Sequence, residues 1–502
     1  MVRGEVRRVQ RPERRRWVAA CAVGVVLGVV ATGCGVTVGS GGPTAAAKTG
    51  VIGSPTTSSS TSTTTTTTTA PAASAIKVVG DDGAPTNQTV VAAITDLQRW
   101  WTTEFPAVYD GEKYRPVSGG FHAIDENTDP TTVPCSPKDI QSVLQNAFYC
   151  PQDDAVVWDQ AGLIPDLSKQ YGPFTVGVVL AHEWGHAIQQ RANFSAPTVI
   201  MELQADCFAG AWAGHVKTSK DSGFTITTED LDRAMAGILS LRDAPGSSAS
   251  DASAHGSGFD RVGAFQDGFE QGASRCAAYK VGDPEPFQFP FNDQTDAQSG
   301  GDMPLNDVDA NNPGITTAAF QSLDKYWKQT FPKISGGTAW TPLKAAVPFS
   351  PDSPPTCNGS KVTGYGLFLC VPDRFIGFDN VDTIPQAYKD GGDFAVAALF
   401  ATQYGLEVQQ QLGKQSTNQV TTTLRGDCYA GAWAAALIPP NEFDQSDSGL
   451  VLSPGDLDEA VGVLLSFRSA SDRSRQGPGF ARVEAFRTGV LKGPNACSSV
   501  HA

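Results

Sequence analysis

The sequence repeats itself once, and this internal repeat limits the possible architecture more than any other feature. Residues 204–212 (QADCFAGAW) recur as residues 425–433 (RGDCYAGAW), and the pattern GFxRVxAF occurs at both 258–265 and 479–486. Four cysteines of the first part recur in the second with an offset of 220–222 residues. Because each unit is about 200 residues long, it has the size of a whole domain and not of a solenoid repeat. We therefore predict a duplicated domain.

Five segments are predicted from the repeat and from local composition. Residues 1–33 have the features of an export signal or membrane anchor. Residues 34–75 are rich in Gly, Ser, Thr, Ala and Pro, which is typical of a flexible linker. The first copy is expected at 76–286 and the second at 313–502, and a Pro/Gly/Asp/Asn-rich connector, 287–312, joins them.

The N-terminus predicts the compartment of the protein. Seven arginines precede Trp17, and the 17 residues from Trp17 to Gly33 carry no charge. Cys34 follows Ala31-Thr32-Gly33, which resembles a bacterial lipobox, except that a leucine is usual at the position of Ala31. We predict that Cys34 is lipidated and anchors the protein to the bacterial membrane or envelope; an uncleaved anchor and free secretion are the alternatives. All three place the body of the protein outside the cytoplasm.

The charge of the chain excludes one class of partner. There are 37 Lys and Arg residues against 52 Asp and Glu residues, so the formal net charge is −15. The seven arginines before Trp17 leave the rest of the chain more acidic still. Such a body does not neutralise phosphate groups, and we expect no nucleic-acid partner.

Eight of the ten cysteines belong to the two copies, four in each. In an exported protein, disulfide bonds are the expected state of these thiols. Because the repeat requires the same pairing twice, the predicted bonds are Cys135–Cys150, Cys207–Cys276, Cys357–Cys370 and Cys428–Cys497. A thiolate metal ligand at Cys207 is the alternative, and the lack of a CxxC spacing disfavours it.

The first copy contains an HExxH motif. Residues 174–191 are free of proline and predict a helix that contains His182, Glu183 and His186. Histidines four residues apart project from one face of a helix, where both imidazoles can bind one zinc ion. Glu183 lies beside them and can accept a proton from a water molecule at the metal, so it is the predicted catalytic base.

Zinc requires a third protein ligand, and Glu202 is the candidate. A turn at 193–197 and a returning helix would bring Glu202 back against the first helix. Asp206 follows one turn later on the same face, where it can accept a hydrogen bond from a ligand histidine. The combination of HExxH with ExxxD is more specific than HExxH alone and predicts a zinc site.

The predicted ligands and base are missing from the second copy. In place of His182, Glu183, His186 and Glu202 it has Thr402, Gln403, Leu406 and Thr423. Hydroxyl and amide oxygens are poor zinc ligands, so we expect one zinc ion per chain, in the first copy. Asp206 and Arg261 persist as Asp427 and Arg482. Asp206 is therefore interpreted as at least partly structural, through a pairing with Arg261. It is also a candidate to hold a zinc-ligand histidine in place.

Several stretches of the first copy resemble the bacterial family of putative neutral zinc metallopeptidases. They are NAFYCP at 146–151, HEWGHAIQ at 182–189, ELQADCFAGAWA at 202–213, and HGS at 255–257 followed by Arg261-Val262. The resemblance covers most of 95–277 and only weakly the second copy. It implies an α+β, zincin-like fold, a substrate-binding edge strand at 155–159, and peptide hydrolysis.

Two further residues are candidates for stabilising the oxyanion formed during hydrolysis. His255 is replaced by Gln476 in the second copy, so it is lost together with the ligands. It is a predicted catalytic residue, although it lies in a Gly/Ser-rich loop in which a solvated histidine is common. Tyr149 is a weaker candidate for the same role.

Together these features predict an exported, lipid-anchored zinc endopeptidase with a second copy that lacks the metal site. A peptide or protein substrate and a membrane, reached through the N-terminal lipid or anchor, are the expected partners. The alternative is a cell-envelope binding or scaffold protein that holds zinc without proteolytic turnover.

Overall fold

A computed structural model describes residues 76–248, 250, 254–287, 301–438, 450–467 and 470–502, together with the short strand 35–37. The predicted signal or anchor, the predicted lipidation site Cys34 and nearly all of the predicted linker 34–75 lie outside the described residues. Among the helices of the described part, none is both long enough and apolar enough to cross a membrane.

The first half combines a mixed sheet with a layer of helices. Its strands are β1 (Gly35–Thr37), β2 (Val78–Val79), β3 (Gly120–Ile124), β4 (Asn146–Cys150) and β5 (Ala155–Asp159). Its helices are α1 (Pro85–Val108), α2 (Leu163–Tyr171), α3 (Pro173–Arg191), α4 (Thr198–Thr218), α5 (Thr228–Ser240), α6 (Gly258–Gln271) and α7 (Ala273–Ala277). Two 3-10 turns, Pro130–Thr132 and Ile140–Val143, lie between β3 and β4.

The second half has a similar order of elements. Its strands are β6 (Ala345–Phe349), β7 (Thr356–Cys357), β8 (Ser360–Lys361), β9 (Leu367–Cys370) and β10 (Phe375–Asp379). Its helices are α8 (Ile315–Ile334), α9 (Thr383–Gly391), α10 (Asp393–Leu412), α11 (Gln419–Ala436), α12 (Asp456–Ser466), α13 (Ala470–Gln476) and α14 (Gly479–Lys492), and a 3-10 turn covers Pro494–Ser499. This mixture of helix and sheet is compatible with the predicted α+β class.

Strand pairing is also similar in the two halves. In the first sheet, of order β1-β4-β5-β3-β2, strand β5 runs parallel to β3 and antiparallel to β4. In the second half, β10 runs parallel to β6 and antiparallel to β9. The prediction that 155–159 is an edge strand is wrong, because β5 pairs on both sides and all five of its residues are buried.

The two halves share a hydrophobic core and carry matching disulfide bonds. The largest cluster of buried apolar side chains includes Trp212 of α4 and Trp433 of α11, which are both fully buried. The four cysteine pairs that the repeat predicted lie at disulfide distance, with S–S separations of 2.01–2.10 Å. Two of these bonds close loops of the same length, 69 residues, one in each half.

Each half supplies an aspartate to the start of a helix in the other half. Asp458 of α12 accepts hydrogen bonds from the backbone N–H groups of Gly258 and Phe259, at the start of α6, at 3.0 and 2.7 Å. Asp232 of α5 accepts the equivalent bonds from the first two residues of α14, at 3.1 and 2.7 Å. A carboxylate at a helix N-terminus satisfies free N–H groups and interacts favourably with the helix dipole. The contact between the halves is therefore reciprocal.

Candidate metal centre

Helix α3 carries the HExxH motif through the interior of the first half. It begins after Gly172, whose φ of +90° lets the chain turn sharply between α2 and α3, and Pro173 occupies its first turn. Seventeen of its nineteen residues are buried, including His182 and His186. The observed bounds differ by one residue from the predicted helix 174–191. The motif therefore lies in the packed interior of the first half and not on an exposed helix face.

A close contact between α3 and α4 brings the third predicted ligand to the histidines. A Cβ atom at Gly185 would lie 2.6 Å from Cα of Ala205, which is too short for a real contact. Only glycine allows the two helix backbones to approach this closely. Glu202 lies one turn before Ala205 on α4 and therefore faces His182 and His186.

The three predicted ligands converge. Nε2 of His182 lies 3.3 Å from one Glu202 oxygen, and Nε2 of His186 lies 3.3 Å from the other. Zinc binds such ligands at about 2.0–2.1 Å, so two ligand atoms of one tetrahedral ion are about 3.3 Å apart. Within the described residues, both Nε2 atoms and both Glu202 oxygens are buried without a hydrogen-bond partner. These residues fit a zinc ion, because a cation would satisfy all four atoms.

The remaining ring nitrogens of the histidines are held by neighbouring side chains. Nδ1 of His182 lies 2.8 Å from Asp206 Oδ1, and Nδ1 of His186 lies 3.0 Å from Gln189 Oε1. Gln189 in turn donates to the carbonyl of Met201, at the start of α4. Such contacts fix each imidazole so that Nε2 faces the metal position.

Asp206 also forms a two-pronged ion pair with Arg261 of α6. The guanidinium donates to both carboxylate oxygens, at 2.7 and 2.9 Å, and all of these groups are buried. Burial alone would raise the pKa of Asp206, but Arg261 and His182 outweigh it and hold the pKa below its usual range. Asp206 therefore makes both contacts that were considered from the sequence, one with Arg261 and one with a predicted ligand.

Glu183 is fully buried beside the cluster and is held by the sheet. The backbone N–H of Tyr149, in β4, donates to its Oε2 at 3.0 Å. Its other oxygen, Oε1, is buried and has no hydrogen-bond partner in the described part of the chain. Burial raises the pKa of Glu183 to about 7, against the opposing effect of His182 and His186. A carboxyl group in this state can accept or donate a proton near neutral pH.

His255 lies in the loop before α6 and is oriented by Asp243. Its Nδ1 lies 3.2 Å from Asp243 Oδ1, and its backbone N–H donates to the other oxygen of that carboxylate. The hydrogen bond to Asp243 raises the pKa of His255, and the negative charge of Glu202 adds to this effect. The side chain is about a quarter exposed.

The hydroxyl group of Tyr149 is engaged elsewhere. It donates to Asp154 at 2.7 Å, and Arg191 donates to it at 3.3 Å. The backbone of Tyr149, rather than its phenol, therefore contacts the predicted catalytic group.

Comparison with known proteins agrees with this geometry. Residues 33–279 match the model of a family described as putative neutral zinc metallopeptidase. This part of the chain belongs to that family. It is 32% identical to the uncharacterized protein YpfJ of Escherichia coli (strain K12) over 157 residues, which is 26% of this chain and 53% of that protein. It is 29% identical to the uncharacterized protein Rv2575 of Mycobacterium tuberculosis (strain H37Rv) over 163 residues, 27% of this chain and 56% of that protein.

The chain thus spans about half the length of the curated relatives it matches. No solved structure matches it. The description of this family names zinc as its metal and peptidase as its activity.

Two helices of the second half make contacts similar to those of α3 and α4. Gly405 of α10 approaches Gly426 of α11 as closely as Gly185 approaches Ala205. Arg482 donates to both oxygens of Asp427 at 2.8 and 2.9 Å, as Arg261 does to Asp206.

The second half has other residues where the repeat aligns it with the predicted ligands and base. Their residues are Thr402, Gln403, Leu406 and Thr423. Thr402 donates to Leu399 O, and Thr423 donates to a carbonyl one turn earlier in its own helix. Because these hydroxyl groups bond to their own helices, they do not face one common metal position as the ligands of the first half do.

Sequence reasoning missed three contacts of the site. They are the Tyr149 N–H on Glu183, Gln189 on His186, and Asp243 on His255. Only Gln189 had a local signal, because it lies three residues after His186 on the same helical face. The other two contacts join residues that are distant in the sequence or lie in a loop.

Proposed function

We propose that the first half is a zinc-dependent endopeptidase domain that hydrolyses peptide bonds in proteins outside the cytoplasm. One observation carries this proposal. Nε2 of His182, Nε2 of His186 and the carboxylate of Glu202 are buried, face one another and have no hydrogen-bond partner among the described residues, and neither has Oε1 of Glu183 beside them. A site with three protein ligands leaves a fourth position for water and substrate, as catalytic zinc requires.

His182, His186 and Glu202 would hold the zinc ion. When bound, zinc supplies a positive charge that polarises the scissile carbonyl group and lowers the pKa of a water molecule. Glu183 removes a proton from the attacking water through Oε1 and later delivers it to the leaving amine. The Tyr149 N–H keeps the carboxylate of Glu183 in place during both transfers, because it binds only the other oxygen.

His255 would stabilise the oxyanion by donating a hydrogen bond from Nε2, while Asp243 holds Nδ1. Its partial exposure suits a group that meets the substrate. Asp206 would act through His182, as a positioning residue.

The proposal extends to the architecture and the location of the protein. The shared order of elements, the equal loop lengths and the matching ion pairs support a duplication of a zincin-like domain, of which the second copy lacks the metal site. The proposed domains are 76–286 and 313–502, joined by 287–312. Export, with lipid attached at Cys34, rests on the sequence of the N-terminus.

A second candidate function is zinc binding without turnover, as in an envelope scaffold protein. The burial of the site favours it, since Glu183 and Glu202 are not exposed at all and His186 is only 9% exposed. Substrate must reach this position for hydrolysis to occur, whereas a structural zinc ion has no such need.

Two variants separate these functions. Glu183→Gln should abolish cleavage of casein and leave one zinc ion per chain, because Glu183 moves protons and does not bind the metal. Glu202→Ala should lose zinc and activity together. The matched control Thr423→Ala changes the corresponding position of the second half and should retain both.

Zinc content by metal analysis and casein cleavage by gel assay are the two measurements. If Glu183→Gln lost zinc while Glu202→Ala retained it, the assigned roles would be reversed. A zinc-loaded wild-type protein that cleaves neither casein nor envelope proteins would favour the scaffold function.

A further inference from the structure

The second half contains a cluster of carboxylates that the proposed peptidase does not use. Asp302, Asp393 and Glu459 each place a carboxylate oxygen within 4.8 Å of the others. Asp302 lies in the connector 287–312, Asp393 begins α10, and Glu459 lies in the first turn of α12. Asp456, one turn before Glu459, is buried and adds a fourth carboxyl group. The fold therefore brings acidic groups from three separate segments to one place.

Within the described residues, this acidic cluster has no lysine or arginine paired with it, whether at Asp302, Asp393, Asp456 or Glu459. Burial and mutual repulsion raise the pKa of Asp393 to about 6 and hold the pKa values of Asp456 and Glu459 well above their usual range. Like charges at this spacing disfavour one another unless a cation or a proton intervenes.

Backbone hydrogen bonds hold the carboxylates but do not satisfy them. The N–H groups of Met303 and Phe394 donate to one oxygen each of Asp393 and Glu459, both at 2.8 Å. Asp393 is only 4% exposed, and its other oxygen, Oδ1, has no hydrogen-bond partner in the described part of the chain. A buried, unpartnered carboxylate oxygen costs free energy, so a ligand that binds it is favoured.

Helix α5 of the first half begins in the same way as α12 of the second half, but its first turn carries different charges. Thr227 and Asp230 form a capping box at the start of α5, as Ser453 and Asp456 pair at the start of α12. Three residues after its capping aspartate, however, α5 has Arg233 where α12 has Glu459. Arg233 pairs with Asp230. The first half thus neutralises this position with its own cation.

The start of α3 also lacks an acidic residue that the start of α10 has. It has Pro173 where α10 has Asp393, so the first half lacks this carboxylate as well. At both positions, the second half replaces a neutral or positive residue with an acid.

We propose that Asp302, Asp393 and Glu459 bind one Ca²⁺ ion, with Asp456 contributing charge. The three candidate ligands are carboxylate oxygens, and hard cations prefer such ligands. Ca²⁺ accepts irregular sets of carboxylate oxygens, whereas Mg²⁺ demands near-octahedral geometry and retains most of its water. The ion would link the connector to α10 and α12, and so stabilise the second half.

Calcium-dependent thermal stability of the zinc-loaded, full-length protein tests this proposal. Addition of 5 mM CaCl2 should raise the Tm by about 1–3 °C if the Kd is about 0.1–1 mM, a value typical of extracellular sites. Calorimetric titration should give one Ca²⁺ per chain. Glu459→Arg, which introduces the residue of the first half, and Asp393→Asn should each weaken Ca²⁺ binding at least tenfold.

The same variants show whether the carboxylates act only as helix caps. If they bind Ca²⁺, Asp393→Asn should match or exceed the wild-type Tm without Ca²⁺, because it relieves repulsion, and should lose the response to Ca²⁺. Glu112→Gln, which removes an exposed carboxylate of the first half, should respond as the wild type does. The proposal is overturned if CaCl2 leaves the wild-type Tm unchanged, if Asp393→Asn retains the full response, or if MgCl2 or matched NaCl gives an equal shift.

Discussion

The close contact between Gly185 and Ala205 predicts that a single methyl group will disrupt the metal centre. In Gly185→Ala, the new Cβ would lie 2.6 Å from Cα of Ala205, about 0.9 Å inside a normal carbon–carbon contact of about 3.5 Å. The neighbouring atoms are backbone and Cβ atoms, which cannot rotate away. Helices α3 and α4 must therefore separate by several tenths of an ångström or more.

The effect on zinc should exceed the effect on folding. Overpacking costs about 1–3 kcal/mol, and replacing a glycine within a helix by alanine gains about 1 kcal/mol, so the free energy of unfolding should fall by at most about 2 kcal/mol. Zinc sites, by contrast, tolerate ligand displacements of only about 0.2 Å. Since His182 and His186 lie on α3 and Glu202 on α4, we expect zinc affinity to fall at least about tenfold.

Gly405→Ala is the matched control. Its Cβ would lie 2.4 Å from the carbonyl oxygen of Gly426, so the same overpacking occurs between helices that carry none of the predicted ligands. Competition with a chromophoric chelator measures zinc affinity, and urea unfolding measures stability. If Gly185→Ala bound zinc as tightly as the wild type, or if Gly405→Ala weakened it equally, the close approach would not be what places the ligands.

Three further predictions concern charges and disulfide bonds. Asp206→Asn should lower zinc affinity about 10–100-fold by releasing His182, whereas Asp427→Asn should destabilise the protein without changing its zinc content. Burial, followed by the nearby Glu484, raises the pKa of Glu270 to about 7, above its ordinary value of 4.5. The stabilising contribution of its neutral form is complete below pH 4.5 and is lost as the pH rises through 7, so Glu270→Gln should raise the Tm at pH 8 more than at pH 5. Reduction of the disulfide bonds should lower the free energy of unfolding by about 2–4 kcal/mol per bond in chemical denaturation, in both halves.

Local patterns in the sequence predicted the helices of the site well. The helix expected at 174–191 is observed at Pro173–Arg191, because an apolar run without an internal proline is a signal that acts within one segment. The returning helix with Glu202 was predicted for the same reason. The repeat reduced the number of possible disulfide pairings, since one pattern had to satisfy both halves.

Long-range placement was predicted less well. The strand at 155–159 was expected at a sheet edge, and the structure places it inside the sheet. The sequence did contain a signal, because Ala155 to Trp158 are all apolar, which is typical of a strand buried on both faces. The contact of the Tyr149 backbone with Glu183 had no such signal. It depends on the position of β4 relative to α3, which only tertiary packing determines.

The reciprocal contact through Asp232 and Asp458 changes how this protein responds to dilution. Two separate chains joined by such an interface would dissociate at low concentration, because association is bimolecular. Here one polypeptide contains both partners, so each half meets the other at an effective concentration of about the millimolar range. The interface can then be weak in itself and still remain closed when the protein is scarce. Cleavage within 287–312 would remove this protection and make the pairing of the halves depend on how much protein is present.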